Sequence, residues 1–480
     1  MSVMTAIAWI GIMFLIAMIL RAKIPFLGNN LVPACLIGGV IGVILVNTVG
    51  LEGTSSADYT LISAQLYTFM FINLGFTVPE KTEKRKEKIR SLKEFRARMG
   101  DSMMSGIVGM GSYWAIAYAF QALIGFGILV LIGQIWKMPP VYGMLIPFGF
   151  AQGPGQAVTY GTLIEKAGWP EAIQVAILFS AVGFLVAYFF GVPFAKFGIR
   201  KGIASSKVKL SKELIRGIND PDHQESYGKL TTYSGNLDVL TFHVALIGIG
   251  WILGLQIGKL WAFVPGYFGE LFSKLLFFNG MLAAYAVRFL MGKLGLLIYL
   301  DRGTQVRITN ASTDFMVVAA FMAINMQIVS KWIVPVLIIC AVVAVVTWFT
   351  LSYFAPRFGG RNDFERLLGE WGTVTGTNAT GLSLVRIVDP ENQTTTAAEL
   401  GPANIVNVPA SYVVAPAIVA FAANEMSTGH MLIALGGTIV AYLIFMKVVG
   451  VWGPKTFDVK KGEKYKDGKV IMRDGKSVSE

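Results

Sequence analysis

Amide and hydroxyl side chains surround a glycine- and proline-rich interruption in the first half of the chain. The stretch at 148–161 reads FGFAQGPGQAVTYG and lies inside an apolar region. Its GPG step interrupts helical backbone pairing, while Gln152, Gln156 and Thr159 bring dipolar side chains among apolar ones. Because unpaired polar groups are costly inside a bilayer, such a segment must be buried in protein or line a watery cavity. We predict that Gln152, Gln156 and Thr159 bind a small solute.

A second interruption of the same character lies at 369–390 and reads GEWGTVTGTNATGLSLVRIVDP. Asn378 and Arg386 are its candidates for binding a solute, and Thr375 and Thr377 supply hydroxyl oxygens. Two unwound, polar, glycine-rich segments in comparable halves of a membrane protein indicate the substrate site of a secondary transporter.

Further polar residues fall within apolar segments and complete a candidate ion site. Hydroxyl and amide oxygens together with a carboxylate suit a hard monovalent cation such as sodium, whereas helix N-termini and an arginine suit an anion. We therefore predict a substrate set that also includes Arg307. The tentative sodium ligands are Asn73, Thr375, Thr377, Asp314 and Asn404.

Each candidate also has a purely structural interpretation. Glycine and threonine at helix interfaces often serve close packing alone. Asn73 could satisfy the end of a broken helix, and Arg307 could extend to the cytoplasmic surface. Arg386 could pair with Asp389, which follows it by three residues. The sequence leaves these alternatives open.

Composition identifies the environment of these segments. The 480 residues are 54% hydrophobic and only 15% charged, and the mean hydropathy is +0.60. Apolar runs reach about 20 residues, which is the length that spans a bilayer. The sequence therefore predicts an all-α polytopic membrane protein.

Eleven apolar segments are predicted to cross the membrane. They lie near 3–20, 27–49, 59–79, 102–135, 170–195, 239–258, 271–291, 308–330, 332–354, 403–424 and 430–449. With the N-terminus outside and the C-terminus cytoplasmic, the cytoplasmic loops receive 35 of the 41 Lys and Arg residues and the outer loops receive five. That bias follows the positive-inside rule. The net charge of +12 is thus a topology signal and does not indicate a nucleic-acid partner.

The same path predicts an inverted-topology repeat of two five-span halves, each with a re-entrant hairpin, plus one extra C-terminal span. Each interruption fits the path only if it enters and returns on one side, the first from outside and the second from inside. The predicted regions are a first half at 1–200 with a hairpin near 139–167, a cytoplasmic linker at 201–238, a second half at 239–450 with a hairpin near 367–397, and a basic cytoplasmic tail at 451–480.

Motifs for enzymatic chemistry are absent from the sequence. Cys35 and Cys340 both lie in apolar runs, so they form neither a disulfide framework nor a metal cluster, and the three histidines have no ligand spacing. We expect no enzymatic activity and no cofactor, with sodium as the coupling ion.

The order of several motifs resembles the glutamate/sodium symporter (ESS) family. The motifs are LVPACLIGGVIG at 31–42, FINLGFTVPE at 71–80, the first interruption at 148–161, and QVAILFSAVGFLVAYFFGVPFAKFGIRKG at 174–202. The resemblance implies a sodium-coupled uptake carrier of the bacterial inner membrane. It also implies inverted repeats of five spans with two re-entrant hairpins, and a homodimer.

We therefore expect sodium-coupled symport of a small anionic solute by alternating access across the lipid bilayer. Glutamate leads the candidates, and a related amino acid or dicarboxylate stays open. The alternative is a gated channel or a non-transporting membrane sensor that uses the same hairpins.

Overall fold

The computed structural model describes residues 2–30, 32–77, 103–205, 212–224, 228–265, 267–389, 393–458, 460–466, 469–473 and 476–477. Parts of the predicted linker (206–211 and 225–227) and of the second predicted hairpin (390–392) lie outside the described residues. Within the described residues the fold is helical apart from a small C-terminal sheet.

The α-helices succeed one another with short connections. They are α1 Ser2–Lys23, α2 Pro25–Asn29, α3 Ala34–Thr48, α4 Ser56–Phe76, α5 Met103–Ile132, α6 Pro140–Gly143, α7 Ile146–Phe150, α8 Pro154–Lys166, α9 Ala172–Arg200, α10 Lys212–Arg216, α11 Val239–Leu260, α12 Tyr267–Lys274, α13 Leu276–Lys293, α14 Arg302–Met322, α15 Met326–Phe354, α16 Asp363–Val374, α17 Asn378–Val388, α18 Thr396–Ala422 and α19 Thr428–Val449. Short 3₁₀ turns occupy Gly133–Trp136, Pro221–His223, Trp261–Phe263, Leu296–Tyr299 and Ala355–Arg357.

Seven helices among the described residues are long and apolar enough to cross a membrane. They are Val3–Lys23, Met103–Trp136, Ala172–Arg200, Val239–Leu260, Met326–Arg357, Thr396–Ala422 and Thr428–Val449. The prediction of an all-helical integral membrane protein is thereby confirmed. The other four predicted spans coincide with α3, α4, α13 and α14. Of these, α3 has only 15 residues and the others fall short in apolar composition, so the path of eleven spans stays a prediction.

The chain divides into two compact units, and each takes segments from both predicted halves. The first unit comprises Met1–Ala17, Ala34–Lys86 and Ile218–Ala323. Its core includes Ile72 and Phe76 of α4, which belong to one apolar cluster with Leu246 and Ile247 of α11. Helix α4 also packs against α13 and α14, so the unit is built around α4.

The second unit comprises Met18–Pro33, Glu87–Gly217 and Ile324–Glu480. Helix α5 packs against α18 and α19, and α9 packs against α7, α8, α15, α16 and α17. Both interrupted segments of the sequence lie in this unit. The long helices α5 and α9 flank the first interruption in sequence, and α15 and α18 flank the second.

The predicted tail carries a four-stranded antiparallel sheet in the order β1–β2–β3–β4. Its strands are β1 Phe457–Asp458, β2 Glu463–Lys466, β3 Lys469–Arg473 and β4 Lys476–Ser477. The Thr456 hydroxyl donates to the Asp363 carboxylate at 2.8 Å, and the Phe457 ring packs edge-on against Phe364 at 5.8 Å. The tail is therefore anchored on the first turn of α16.

Candidate functional site

The first interruption is a helical hairpin. Helix α7 ends at Phe150, α8 begins at Pro154, and the Phe148 and Tyr160 rings stack at 4.4 Å across the turn. Gly153 has φ +81° and ψ −175°, a region that is essentially restricted to glycine. The glycine in the sequence thus has a conformational reason, because it lets the chain reverse between the two short helices.

The second interruption is also a helical hairpin, and glycines bring its two helices together. A Cβ atom added to Gly372 of α16 would lie 2.7 Å from the Gly381 Cα of α17, so only glycine permits this approach. Thr377 caps α17, because its hydroxyl oxygen accepts from the Thr380 N–H at 3.3 Å. The turn of this hairpin is the segment from Thr375 to Thr377.

The two turns meet within the second unit. A Cβ atom added to Gly153 would lie 2.3 Å from the Thr377 Cγ2 atom and 3.3 Å from the Gly376 carbonyl oxygen. Helices α8 and α17 both begin at this contact, so both present their N-termini to it. The first N–H groups of a helix lack intrahelical partners, and each N-terminus carries about half a positive charge. This arrangement suits a negatively charged or carbonyl-bearing ligand.

Helix α5 satisfies polar groups of both turns. The Trp114 indole N–H donates to the Ala151 carbonyl at 3.2 Å, and the Gln121 amide donates to the Val374 carbonyl at 2.9 Å. The Tyr118 hydroxyl donates to Gln156 Oε1 at 3.2 Å. Helix α5 therefore holds both turns through hydrogen bonds from its side chains.

The predicted residues of the second unit occupy different positions relative to this contact. Gln152 is half-buried and its amide reaches the Ser411 hydroxyl at 3.5 Å, whereas Gln156 is buried. Asn378 is half-buried, and its Oδ1 atom accepts from the Thr373 hydroxyl at 3.4 Å. The structure thus brings Gln152, Gln156 and Asn378 to the ends of α8 and α17.

The predicted threonines donate within their own helices. The Thr159 hydroxyl donates to the Gly155 carbonyl at 2.8 Å, and the Thr375 hydroxyl donates to the Trp371 carbonyl at 2.6 Å. Each hydroxyl oxygen keeps lone pairs that can accept a proton donor or coordinate a cation. Asn404 lies half-buried on α18.

Arg386 lies away from the turn. It follows Asn378 by eight residues, or ~12 Å along α17, and its side chain is exposed. Asp389 accepts instead from the backbone N–H groups of Gln393 and Thr394, both at 2.8 Å. Asp389 thus holds the backbone at Gln393 and Thr394.

Three predicted residues belong to the first unit. The Asn73 amide donates to the Gln305 carbonyl at 2.7 Å and to the Thr309 hydroxyl at 2.9 Å, which joins α4 to α14. Arg307 and Asp314 are two turns apart on α14, and both side chains are exposed. Asn73 therefore joins two helices. The seven-residue spacing of Arg307 and Asp314 places them on one face of α14.

A buried charge cluster at the base of the second hairpin was missed by sequence reasoning. Arg366 is 1% exposed and binds Glu399 of α18 through two hydrogen bonds, of 2.8 and 2.7 Å, while its third nitrogen binds Asp363 at 2.9 Å. Arg366 is one of the 35 Lys and Arg residues that the predicted path assigns to cytoplasmic loops. The signal available was its position within DFER, where acidic and basic residues share one helical turn.

No group of three or more His, Cys, Asp and Glu residues within the described part of the chain is arranged to hold a metal ion. Candidate sodium ligands at the turns are therefore hydroxyl, amide and carbonyl oxygens.

Comparisons with known proteins place the chain in a family. The model of the sodium/glutamate symporter family matches residues 1–363. No curated protein matches the chain. Among solved structures, the chain is similar to a sodium/proton antiporter from Methanocaldococcus jannaschii, with 14% identity over 94% of this chain and 100% of that one and a TM-score of 0.35. The family match covers most of the chain and confirms the resemblance in the sequence motifs, so the chain belongs to the sodium/glutamate symporter family.

Proposed function

We propose that this protein takes up a small anionic solute by sodium-coupled symport with alternating access. Glutamate is the leading substrate, and a related amino acid or dicarboxylate is the next candidate. The observation that carries the proposal is the meeting of two helix N-termini at Gly153 and Thr377. Membership of a symporter family supports sodium coupling.

The anion would bind where α8 and α17 begin. Backbone N–H groups and the amides of Gln152, Gln156 and Asn378 would face its carboxylate. Two helix ends supply about one positive charge together. A dicarboxylate needs more positive charge. Arg386, ~12 Å from the turn along α17, is our candidate in this unit, and Arg307 is a candidate in the other unit.

Sodium would bind to side-chain oxygens of hydroxyl and amide groups and, at Asp314, of a carboxylate. Thr375, Thr377 and Asn404 are the candidates in the unit that contains both hairpins, and Asn73 and Asp314 are candidates in the other unit. Sodium would bind more tightly to the conformation that also binds the substrate. Sodium binding would therefore increase the population of that conformation.

The finer architecture is part of the same proposal. Each interruption would be a re-entrant hairpin, and the order of long helix, hairpin and long helix occurs twice in the second unit, as an inverted repeat requires. By alternating access, that unit would expose the site first to the outside and then to the cytoplasm. The protein would be a homodimer in a bacterial inner membrane with its N-terminus outside and its C-terminus cytoplasmic.

Transport by purified protein in proteoliposomes tests the proposal. We expect an inward sodium gradient to drive uptake of labelled glutamate or a dicarboxylate, and unlabelled internal substrate to accelerate entry of label by counterflow. Flux without counterflow would indicate a channel, and binding without flux would indicate a sensor. Uptake that is equal with and without sodium would refute the coupling.

A further inference from the structure

Glu370 is a buried acid without a partner. It lies on α16 and is 0% exposed, and neither of its carboxyl oxygens has a hydrogen-bond partner among the described residues. The other buried acids of this region are all bonded: Asp363 and Glu399 to Arg366, and Glu365 to the Ser205 N–H at 2.6 Å. Glu370 therefore differs from its neighbours in having nothing that would stabilise a negative charge.

The cationic residue nearest to Glu370 in sequence is already paired with other carboxylates. Arg366 precedes Glu370 by one helical turn, but its three nitrogens bind Glu399 and Asp363. Those two carboxylates already exceed the single charge of Arg366. A charge on Glu370 would add a third negative group to the same buried region.

Within the described ranges, the elements packed against α16 supply no cation that is bonded to Glu370. Tyr113 on α5 interacts electrostatically with Glu370, but its hydroxyl is neutral near pH 7 and already donates to the Thr347 carbonyl at 2.9 Å. The other charged or titratable groups on these elements are Tyr118 on α5, Asp363 and Glu365 on α16, Glu399 and Tyr412 on α18, Lys331, Cys340 and Tyr353 on α15, Tyr188, Lys196 and Arg200 on α9, Arg357 in its 3₁₀ turn and Arg386 on α17. An unpaired carboxylate in such a site is neutralised in preference to remaining charged.

We propose that Glu370 is a proton-binding site built into the second hairpin. Its carboxyl group holds a proton in this conformation and releases it to water when the hairpin region opens, leaving a carboxylate. Glu370 lies five residues before the turn at Thr375, ~7.5 Å along the helix. The proton on Glu370 and the ligands at the turn therefore share one short helix. The proton site follows from the burial of Glu370 and from its lack of a partner among the described residues, and only its effect on uptake rests on the proposed function.

Infrared spectroscopy of the purified protein tests the site without any transport assay. We expect wild type at neutral pH to show the C=O band of a protonated carboxyl group, and Glu370→Gln to lose it. Glu365→Gln is the matched control, because Glu365 is equally buried on the same helix but is bonded to Ser205. The control should keep the band.

Two results would overturn the proton assignment. One is a band that persists unchanged in folded Glu370→Gln protein. The other is a band that disappears when sodium is added at constant pH, which would make Glu370 a sodium ligand. Should Glu370→Gln not fold, Glu370→Asp serves instead, since a shorter acid in the same surroundings shifts the band.

The transport consequence has its own measurement. Glu370→Gln mimics the protonated state permanently, so we expect the dependence of uptake on pH to flatten while sodium dependence persists. An unchanged pH profile, together with loss of the infrared band, would restrict the proton to a structural role. If neither protein transports any solute, the proposed function fails while the infrared result still decides the proton site.

Discussion

The two hairpins meet at their turns but are held by different forces. The first, formed by α7 and α8, has charged residues only in the last turn of α8, at Glu165 and Lys166, and is held by the stacked rings of Phe148 and Tyr160. The second, formed by α16 and α17, contains five charged residues and is anchored at its base by the Arg366 cluster. Under the proposed function, the first hairpin would offer dipoles to a solute at its turn, whereas the charged second hairpin would also bind protons or ions. We infer that ion coupling depends mainly on the second hairpin.

The C-terminal tail contacts the base of the second hairpin. The Thr456 hydroxyl donates to Asp363, and Lys464 donates to the Ser205 hydroxyl at 3.2 Å, while Ser205 binds Glu365. Burial lowers the pKa of Lys464, although the neighbouring carboxylates of Glu365 and Asp363 oppose that shift. The C-terminal sheet thus holds the base of the charged hairpin.

The largest expected effect is on stability. Arg366→Ala would leave Glu399 and Asp363 buried without their cation, which costs about 3–5 kcal/mol when one partner of a buried pair is removed. We expect a large fall in the melting temperature in detergent. Arg386→Ala is the matched control, because this arginine is exposed on the same hairpin. Equal melting temperatures for the two variants would show that the cluster does not anchor the hairpin.

The contact between the turns can be broken by a single methyl group. Gly153→Ala puts a Cβ atom 2.3 Å from Thr377 Cγ2 and strains a backbone with φ +81°, so we expect uptake to fall by at least about tenfold. Gly127→Ala is the control, since nothing lies within 4 Å of its added Cβ.

A double variant tests the same contact from the other side. Thr377→Ser removes the methyl group that clashes, so Gly153→Ala combined with Thr377→Ser should recover part of the uptake. Effects that simply add would mean that the two turns act independently.

Amide truncation in each hairpin compares their roles in uptake. We expect Gln156→Ala and Asn378→Ala each to abolish sodium-driven uptake with near-normal membrane expression, because both amides lie at hairpin turns. Tyr118→Phe is the control for Gln156, since it removes only the hydrogen bond to that amide. Wild-type uptake by both alanine variants would show that these amides serve packing and do not bind the substrate.

Charge geometry gives a smaller effect. Lysine cannot reproduce the two-pronged hydrogen bonding of a guanidinium to a carboxylate. We expect at least one of Arg307→Lys and Arg386→Lys to raise the apparent KM for the substrate by tenfold or more, about 1.4 kcal/mol, with sodium dependence retained. Initial uptake rates over a range of substrate concentrations provide the measurement. A wild-type KM in both variants would mean that backbone N–H groups bind the substrate carboxylate, or that the substrate is not an anion.

Loss of one tail contact should have the smallest effect. Thr456→Val removes the hydroxyl that donates to Asp363, with an expected cost of about 1 kcal/mol. Thermal unfolding measures it, with Thr48→Val as the control, whose hydroxyl donates within its own helix. A melting temperature equal to that of the control would mean that the tail does not support the charged hairpin.

Local polarity and composition were enough to predict the membrane class and both interruptions. The GPG step and the GTVTGTNATG run are visible in the sequence because glycine and amide residues are conspicuous among apolar ones. The contact of Gly153 with Thr377 could not be predicted, since it joins residues more than 200 positions apart. The burial of Arg366 was also hidden, because its partner Glu399 comes from another helix.

The most direct test of the shared site is substrate protection of single cysteines in protein lacking Cys35 and Cys340. We would place one cysteine at Gln152 and, in a second variant, one at Asn378, with Gly401→Cys as an exposed control on α18. We predict that sodium plus a transported anion slows alkylation at both positions and leaves the control unchanged. Protection at only one hairpin, or at neither, would contradict a site formed by the two turns together.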